Sequence, residues 1–129
     1  MIGGIGKEGV RNFYASLIPF GKFFPPDLEM VPVSQTIDQN QLVDEIIFKF
    51  THTTEVGWML PNIPPTGKRV EIPLVVIVGF KDGKVTHEHI YWDQASVLVQ
   101  IGLLSPDGLP VNGIETAKRM EEINKTMKQ

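Results

Sequence analysis

The chain has no cysteine, so it carries neither a disulfide framework nor a cysteine-based zinc finger. It also lacks any block of like charge: twelve basic residues face fifteen acidic ones, for a formal charge of −3. Nucleic acid, which needs a concentrated basic surface, is not an expected partner. Long apolar runs are missing too. The longest, Leu74 to Val78, falls far short of the roughly 20 residues a membrane helix requires. The start, Met1-Ile2-Gly3-Gly4, has neither the basic residues nor the apolar stretch of a signal peptide. These absences describe a soluble cytoplasmic protein with no membrane partner. With 129 residues and no internal repeat, the chain is expected to form one domain, 1–129, that buries roughly two-thirds of its unfolded surface.

What is present centres on Arg69 to Leu104. Alternate residues Val70, Ile72, Leu74, Val76, Val78 and Phe80 are all apolar, the mark of a strand with one buried face. Lys81-Asp-Gly-Lys84 follows, and an Asp-Gly pair suits the positive φ angles of a two-residue hairpin connection. The returning strand, Val85 to Trp92, interleaves Glu88, Ile90 and Trp92 with His87, His89 and Tyr91. So polar a strand beside a buried one is expected to line something.

Toward the N-terminus, Gly4-Ile-Gly6-Lys-Glu-Gly9 matches a dinucleotide fingerprint by letter. No strand precedes it and no βαβ unit follows, and the motif works only as a strand-to-helix turn. Val10, Phe13, Tyr14, Leu17 and Ile18 form one stripe of an amphipathic helix over Lys7 to Leu17, which Pro19 ends. Phe20 to Asp27 reads as a loop anchored by Phe23 and Phe24, and Glu29 to Thr36 as a strand. A turn at Asp38-Gln-Asn40 leads into a clearer strand, Gln41 to Thr53. There Leu42, Asp44, Ile46, Phe48, Phe50 and His52 share one face, and Glu45, Lys49 and Thr51 the other. Thr54 to Lys68 is a Pro/Gly-rich loop whose Trp58, Met59 and Leu60 must bury, as a lid on the core or on a ligand site. A helix is expected from Asp93, with Ala95, Leu98, Val99 and Gly102 on one side. After a break at Gly108 to Pro110, Asn112-Gly-Ile-Glu115 reads as a capping box for a last helix through Met127. Antiparallel strands without βαβ rhythm argue for α+β, with helices covering one face of the sheet.

His87 and His89 have the H-x-H spacing of a metal chelate, but no later histidine exists to complete such a site. The expectation is therefore no metal. The simpler reading puts His87, His89 and Tyr91 on the outer sheet face, against a second copy in a homodimer.

Phe50-Thr51-His52-Thr53, then Pro64-Pro65-Thr66-Gly67-Lys68, then Phe80-Lys-Asp-Gly-Lys84, then Glu88 and Asp93 with Gln100-Ile101-Gly102, together resemble the SnoaL-like polyketide cyclase family of the nuclear-transport-factor-2-like superfamily. The family pattern has Thr-His-Thr-Gly, Pro-Pro-Thr-Gly, a hairpin, Glu-x-x-x-x-Asp, and Gln-Leu-Gly after that Asp. Phe50 and Thr54 stand where the family has glycines and the loop to Pro64 is longer, and the family's first N-terminal helix is expected to have no counterpart. The resemblance implies a cone: a strongly curved antiparallel sheet wrapped around helices, with an apolar pocket, often as a homodimer through the sheet face. It implies cofactor-free ring closure by intramolecular aldol condensation. The family's catalytic Asp matches Asp93, and its Thr-His-Thr histidine matches His52.

Such chemistry needs a base for a carbon-bound proton and a donor for the enolate. Asp93 is the expected base, although Asp is also a preferred helix cap whose charge the helix dipole stabilises. His52 and Glu88 are the expected donor or orienting groups. Phe48, Trp58, Val76, Ile90 and Trp92 are the expected walls for a small, largely apolar carbonyl ligand. A non-catalytic small-molecule or lipid carrier on the same fold stays open beside this reading, as does an ester or epoxide hydrolase.

Overall fold

A computed structural model describes the backbone of residues 2–5 and all of residues 24–128. The expected helix over Lys7 to Leu17, most of the glycine-rich fingerprint and Phe23 lie outside them. Among the described residues five strands form one antiparallel sheet: β1 (Ile2–Ile5), β2 (Glu29–Ile37), β3 (Gln41–Thr51), β4 (Arg69–Lys81) and β5 (Lys84–Tyr91). Their order across the sheet is β1-β5-β4-β3-β2. Two helices follow, α1 (Gln94–Gln100) and α2 (Glu115–Met127). The class is α+β, as the pattern of elements leads one to expect. β1 is an addition, and its pairing with β5 sets Ile2 opposite Ile90 and Gly4 opposite Glu88.

The β3–β4 register pairs Phe50 with Val70, Phe48 with Ile72, Ile46 with Leu74, Asp44 with Val76 and Leu42 with Val78. The alternating residues thus share one face, here the inner one. At its lower end Phe48, Phe50, Val70, Ile72 and Leu74 are buried with Val56, Trp58, Met59 and Leu60 of the connecting loop and Val97 and Ile101 of α1. The loop therefore does bury its apolar residues. The hairpin between β4 and β5 turns at Asp82 and Gly83, with φ of 52° and 71°, the positive pair that the Asp-Gly sequence accommodates.

Helices were expected on one face only, yet α2 packs on the other. Lys49 pairs with Glu71, opposite it on the outer face, and with Glu121 of α2, and Asn124 donates to the Pro32 carbonyl at 3.1 Å. Ile47 on that face and Ala117 of α2 are both fully buried. The capping box expected at Asn112 is displaced: Ile114 is the cap residue and offers no side-chain bond. Glu115 instead reaches back to the Gly113 N–H at 2.7 Å.

α1 sits beside β4 beyond the end of β5, where β4 has a free edge. Gln100 fills it. Its Oε1 accepts from the Glu71 N–H at 2.9 Å and its Nε2 donates to the Glu71 carbonyl at 3.0 Å, replacing the ladder bonds a further strand would supply. Pro73 on the same edge has no N–H to leave unpaired. Gly102, at φ 80°, then stops the helix: its N–H reaches Val99 O and that of Leu103 reaches Leu98 O, the paired bonds of a Schellman ending. The Gln100-Ile101-Gly102 motif is thus an edge clamp joined to a helix stop.

Candidate functional site

Asp93 follows the last residues of β5 in an extended conformation, φ −88° and ψ 101°, and caps α1. Its Oδ1 accepts from the Ser96 N–H at 3.2 Å. The residue is exposed, and no bond to Oδ2 occurs among the described residues. The junction around it is pinned by one amide. Trp92 Nε1–H donates to Gln94 Oε1 at 2.7 Å, and Gln94 Nε2 donates to the Met59 carbonyl at 2.8 Å. Trp58 and Trp92 meet edge to face with ring centres 5.5 Å apart, a preferred aromatic geometry. Trp58 also meets Phe48 at 5.9 Å and Phe24 at 6.4 Å. The 54–68 loop is thereby fastened beside Asp93.

His52 is fully buried. The Thr66 N–H donates to its Nδ1 at 3.3 Å, with the Thr66 hydroxyl 3.1 Å from the same nitrogen. With Nδ1 accepting, the ring proton sits on Nε2, which is buried without a partner among the described residues, as is Thr54 Oγ. Burial pulls the imidazole pKa below its ordinary value, because a charged ring there would lose its hydration.

Glu88 is half-buried and pairs with Val78, while Ile90 pairs with Val76. Both thus share the inner face with Leu42 and Asp44. The described residues do not gather the three expected acid-base groups into one cluster. His52 lies beyond the Thr51–Arg69 pair and Glu88 in the Val78 row, ends of the face separated by about 30 Å of strand. Asp93 lies between these levels. Of the expected walls, Phe48 and Trp58 are buried, while Val76, Ile90 and Trp92 are half-buried. An open groove of about 340 Å³ lies elsewhere, along α2 between Asn112 and Ile123.

Thr66 and Gln100 stand within the family-like motifs with no task evident from the sequence, and Gln94 and Ser96 stand in no motif. Ser96 donates to the Gly113 carbonyl at 2.6 Å and receives Gln100 Nε2 at 3.2 Å. Only the spacing of Ser96 from Asp93, three residues, carried a signal, that of a cap.

A family model for SnoaL-like polyketide cyclases matches residues 4–101. Among solved structures, AclR from Streptomyces galilaeus, a candidate hydroxylase, is 28% identical with a TM-score of 0.57, over 71% of this chain and 66% of its own. TsrD from Streptomyces laurentii is 20% identical with a TM-score of 0.58, over 74% and 68%. A candidate SnoaL-like polyketide cyclase from Jannaschia sp. CCS1 is 22% identical with a TM-score of 0.60, over 75% and 64%. The last two likenesses are of fold. The chain spans about two thirds of the length of these neighbours. No curated protein matches it.

Proposed function

The chain belongs to the SnoaL-like polyketide cyclase family, and from that membership we propose a cofactor-free acid-base enzyme acting on a small, largely apolar carbonyl compound by aldol-type cyclisation or isomerisation. The observation that carries the reading is Asp93: an exposed carboxylate with one oxygen held by Ser96 and fixed beside Trp92. In the proposed step Oδ2 takes a proton from a carbon between two carbonyls. The enolate carbon then attacks a second carbonyl of the same molecule, and the alkoxide formed is protonated. Both the new carbon–carbon bond and the proton balance stay within substrate and carboxylate.

Glu88 is the orienting group on the same strand. From Trp92 to Glu88 the strand covers about 13 Å, which suits a flat ligand of several rings lying over Ile90. His52 supports the site at one remove, through the bonds to Thr66 that hold the end of the 54–68 loop. One observation favours a second reading, a non-catalytic carrier. Capping is itself a sufficient reason for an Asp at this position. The fold alone does not choose, since one architecture hosts several chemistries.

Deuterium uptake at acidic carbon positions in aromatic and alicyclic β-dicarbonyl compounds separates the two. Asn caps a helix about as well as Asp, so Asp93→Asn leaves folding intact. The native protein is expected to accelerate exchange, and the variant to fall to background. Equal exchange by both at the background rate would assign Asp93 to the cap alone and favour the carrier.

A further inference from the structure

On the outer face of β5, His87 and His89 lie with ring centres 5.0 Å apart and planes inclined by 34°. Three features set the first ring. The β4–β5 register shifts between Gly79 and Phe80, with Thr86 as the extra residue, and such a bulge re-aims the side chain beside it. Gly79 stands opposite His87, and a Cβ at position 79 would overlap the imidazole, so the ring occupies space that only glycine leaves. Thr86 Oγ lies 3.2 Å from His87 Nδ1. When Nδ1–H donates to that hydroxyl, the lone pair stays on Nε2, the arrangement by which a second partner orients a metal-binding histidine.

The spacing has a chemical meaning. With Zn–N bonds of about 2.0–2.1 Å and a tetrahedral angle, two imidazoles on one ion have ring centres about 5 Å apart. On this face β1 sets Ile5 opposite His87 and Gly3 opposite His89, and on the other side lie the pairs Gln41 with Gly79 and Val43 with Ile77; none of these residues is cationic. The hairpin lysines, Lys81 and Lys84, pair with each other beyond Phe80 and Val85. Among the described residues no group of three or more His, Asp or Glu is arranged for a metal, so this strand supplies two ligands and solvent or another molecule the rest.

We propose that His87 and His89 form a bidentate site for a first-row transition-metal dication of the kind imidazole favours, zinc, copper or nickel. The site is on the opposite face of the sheet from Ile90 and Trp92 and is independent of the reading of Asp93. The chain has three histidines and no cysteine, and the third, His52, is buried and engaged by Thr66. Competing imidazole and thiolate donors are thus few.

The test is calorimetric titration of the metal-free protein with Cu²⁺, Ni²⁺ and Zn²⁺ in turn, with copper also followed by electron paramagnetic resonance. Saturable binding with two-nitrogen hyperfine structure is expected. His87→Ala and His89→Ala should each weaken it by at least roughly tenfold. Gly79→Ala keeps both histidines but displaces the first ring and should weaken it too, with circular dichroism confirming the fold. Binding unchanged in the double His87→Ala/His89→Ala variant, or no saturable binding by the native chain, would overturn the proposal. Binding that Gly79→Ala leaves intact would overturn the role given to the preset ring.

Discussion

The two faces of the sheet are held by different forces. The lower inner face packs Phe48, Phe50, Val70, Ile72 and Leu74 among apolar loop and α1 side chains. On the outer face the docking of α2 is largely polar. Lys49 bridges Glu121 and Glu71, Arg69 bridges Glu71 and Asp27, and Asn124 holds the Pro32 carbonyl. Of the apolar residues on α2, Ala117 is fully buried while Ile123 and Met127 are 39% and 65% exposed. Apolar burial is non-directional and scales with area, whereas ion pairs depend on geometry, salt and ionisation. One sheet therefore carries a face that responds to volume changes and a face that responds to solution conditions.

The largest effect is expected where volume matters. Phe50→Ala should cost about 3–5 kcal/mol, read as a lower urea midpoint and independent of salt. Gln100→Ala comes next, at about 1–3 kcal/mol, because it strips partners from both the N–H and the carbonyl of Glu71. Gln100→Glu keeps the acceptor but sets a carboxylate oxygen against the Glu71 carbonyl, so it should not recover the loss. Lys49→Met tests the outer face. Its side chain is 13% exposed, so the pair is screened less than a surface pair, yet Glu121 at 26% can regain water. A loss of about 1–2 kcal/mol is expected, shrinking in high salt. A salt response equal to that of Phe50→Ala would break the distinction between the faces.

Much of the inner face was legible because period-two alternation from Leu42 to His52 and from Val70 to Phe80 depends only on neighbours along the chain. The Asp82-Gly83 turn was legible for the same reason. The outer face was not. Lys49 and Thr51 read as solvent-facing, and nothing near them announces partners at Glu121 and Asp27, 72 and 24 residues away. Gln100 read as part of a motif, while its partner, the backbone of Glu71, is a free edge that exists only once β5 has ended. The bulge at Thr86 was hidden because it shifts pairing by one residue inside a strand of good propensity. At the candidate site, Asp93 could be placed at the head of a helix. The distance between His52 and Glu88 could not be seen, since it depends on the register of two hairpins.

The smallest effect, dependence on pH, also separates the faces. His52 is held neutral by burial, with its pKa below the ordinary value of about 6.5. The unfolded chain therefore binds the extra proton first. This contribution is complete above about pH 6.5, and it is lost as pH falls from there through the lowered folded-state pKa. The outer carboxylates act later. The Lys49 ammonium, which donates to Glu121, lowers that carboxyl's pKa, and the Thr51 hydroxyl and N–H lower that of Asp27. Their stabilisation is present above the ordinary carboxylate values of about 4 and is lost as pH falls through the lowered ones. Urea midpoints measured across acidic pH should decline in two windows. His52→Gln should flatten the upper one and leave the lower, and Glu121→Gln should leave the upper and shallow the lower to the share carried by Asp27. A variant that flattened both would mean the two faces unfold from a shared ionisation, and the division drawn between them would fail.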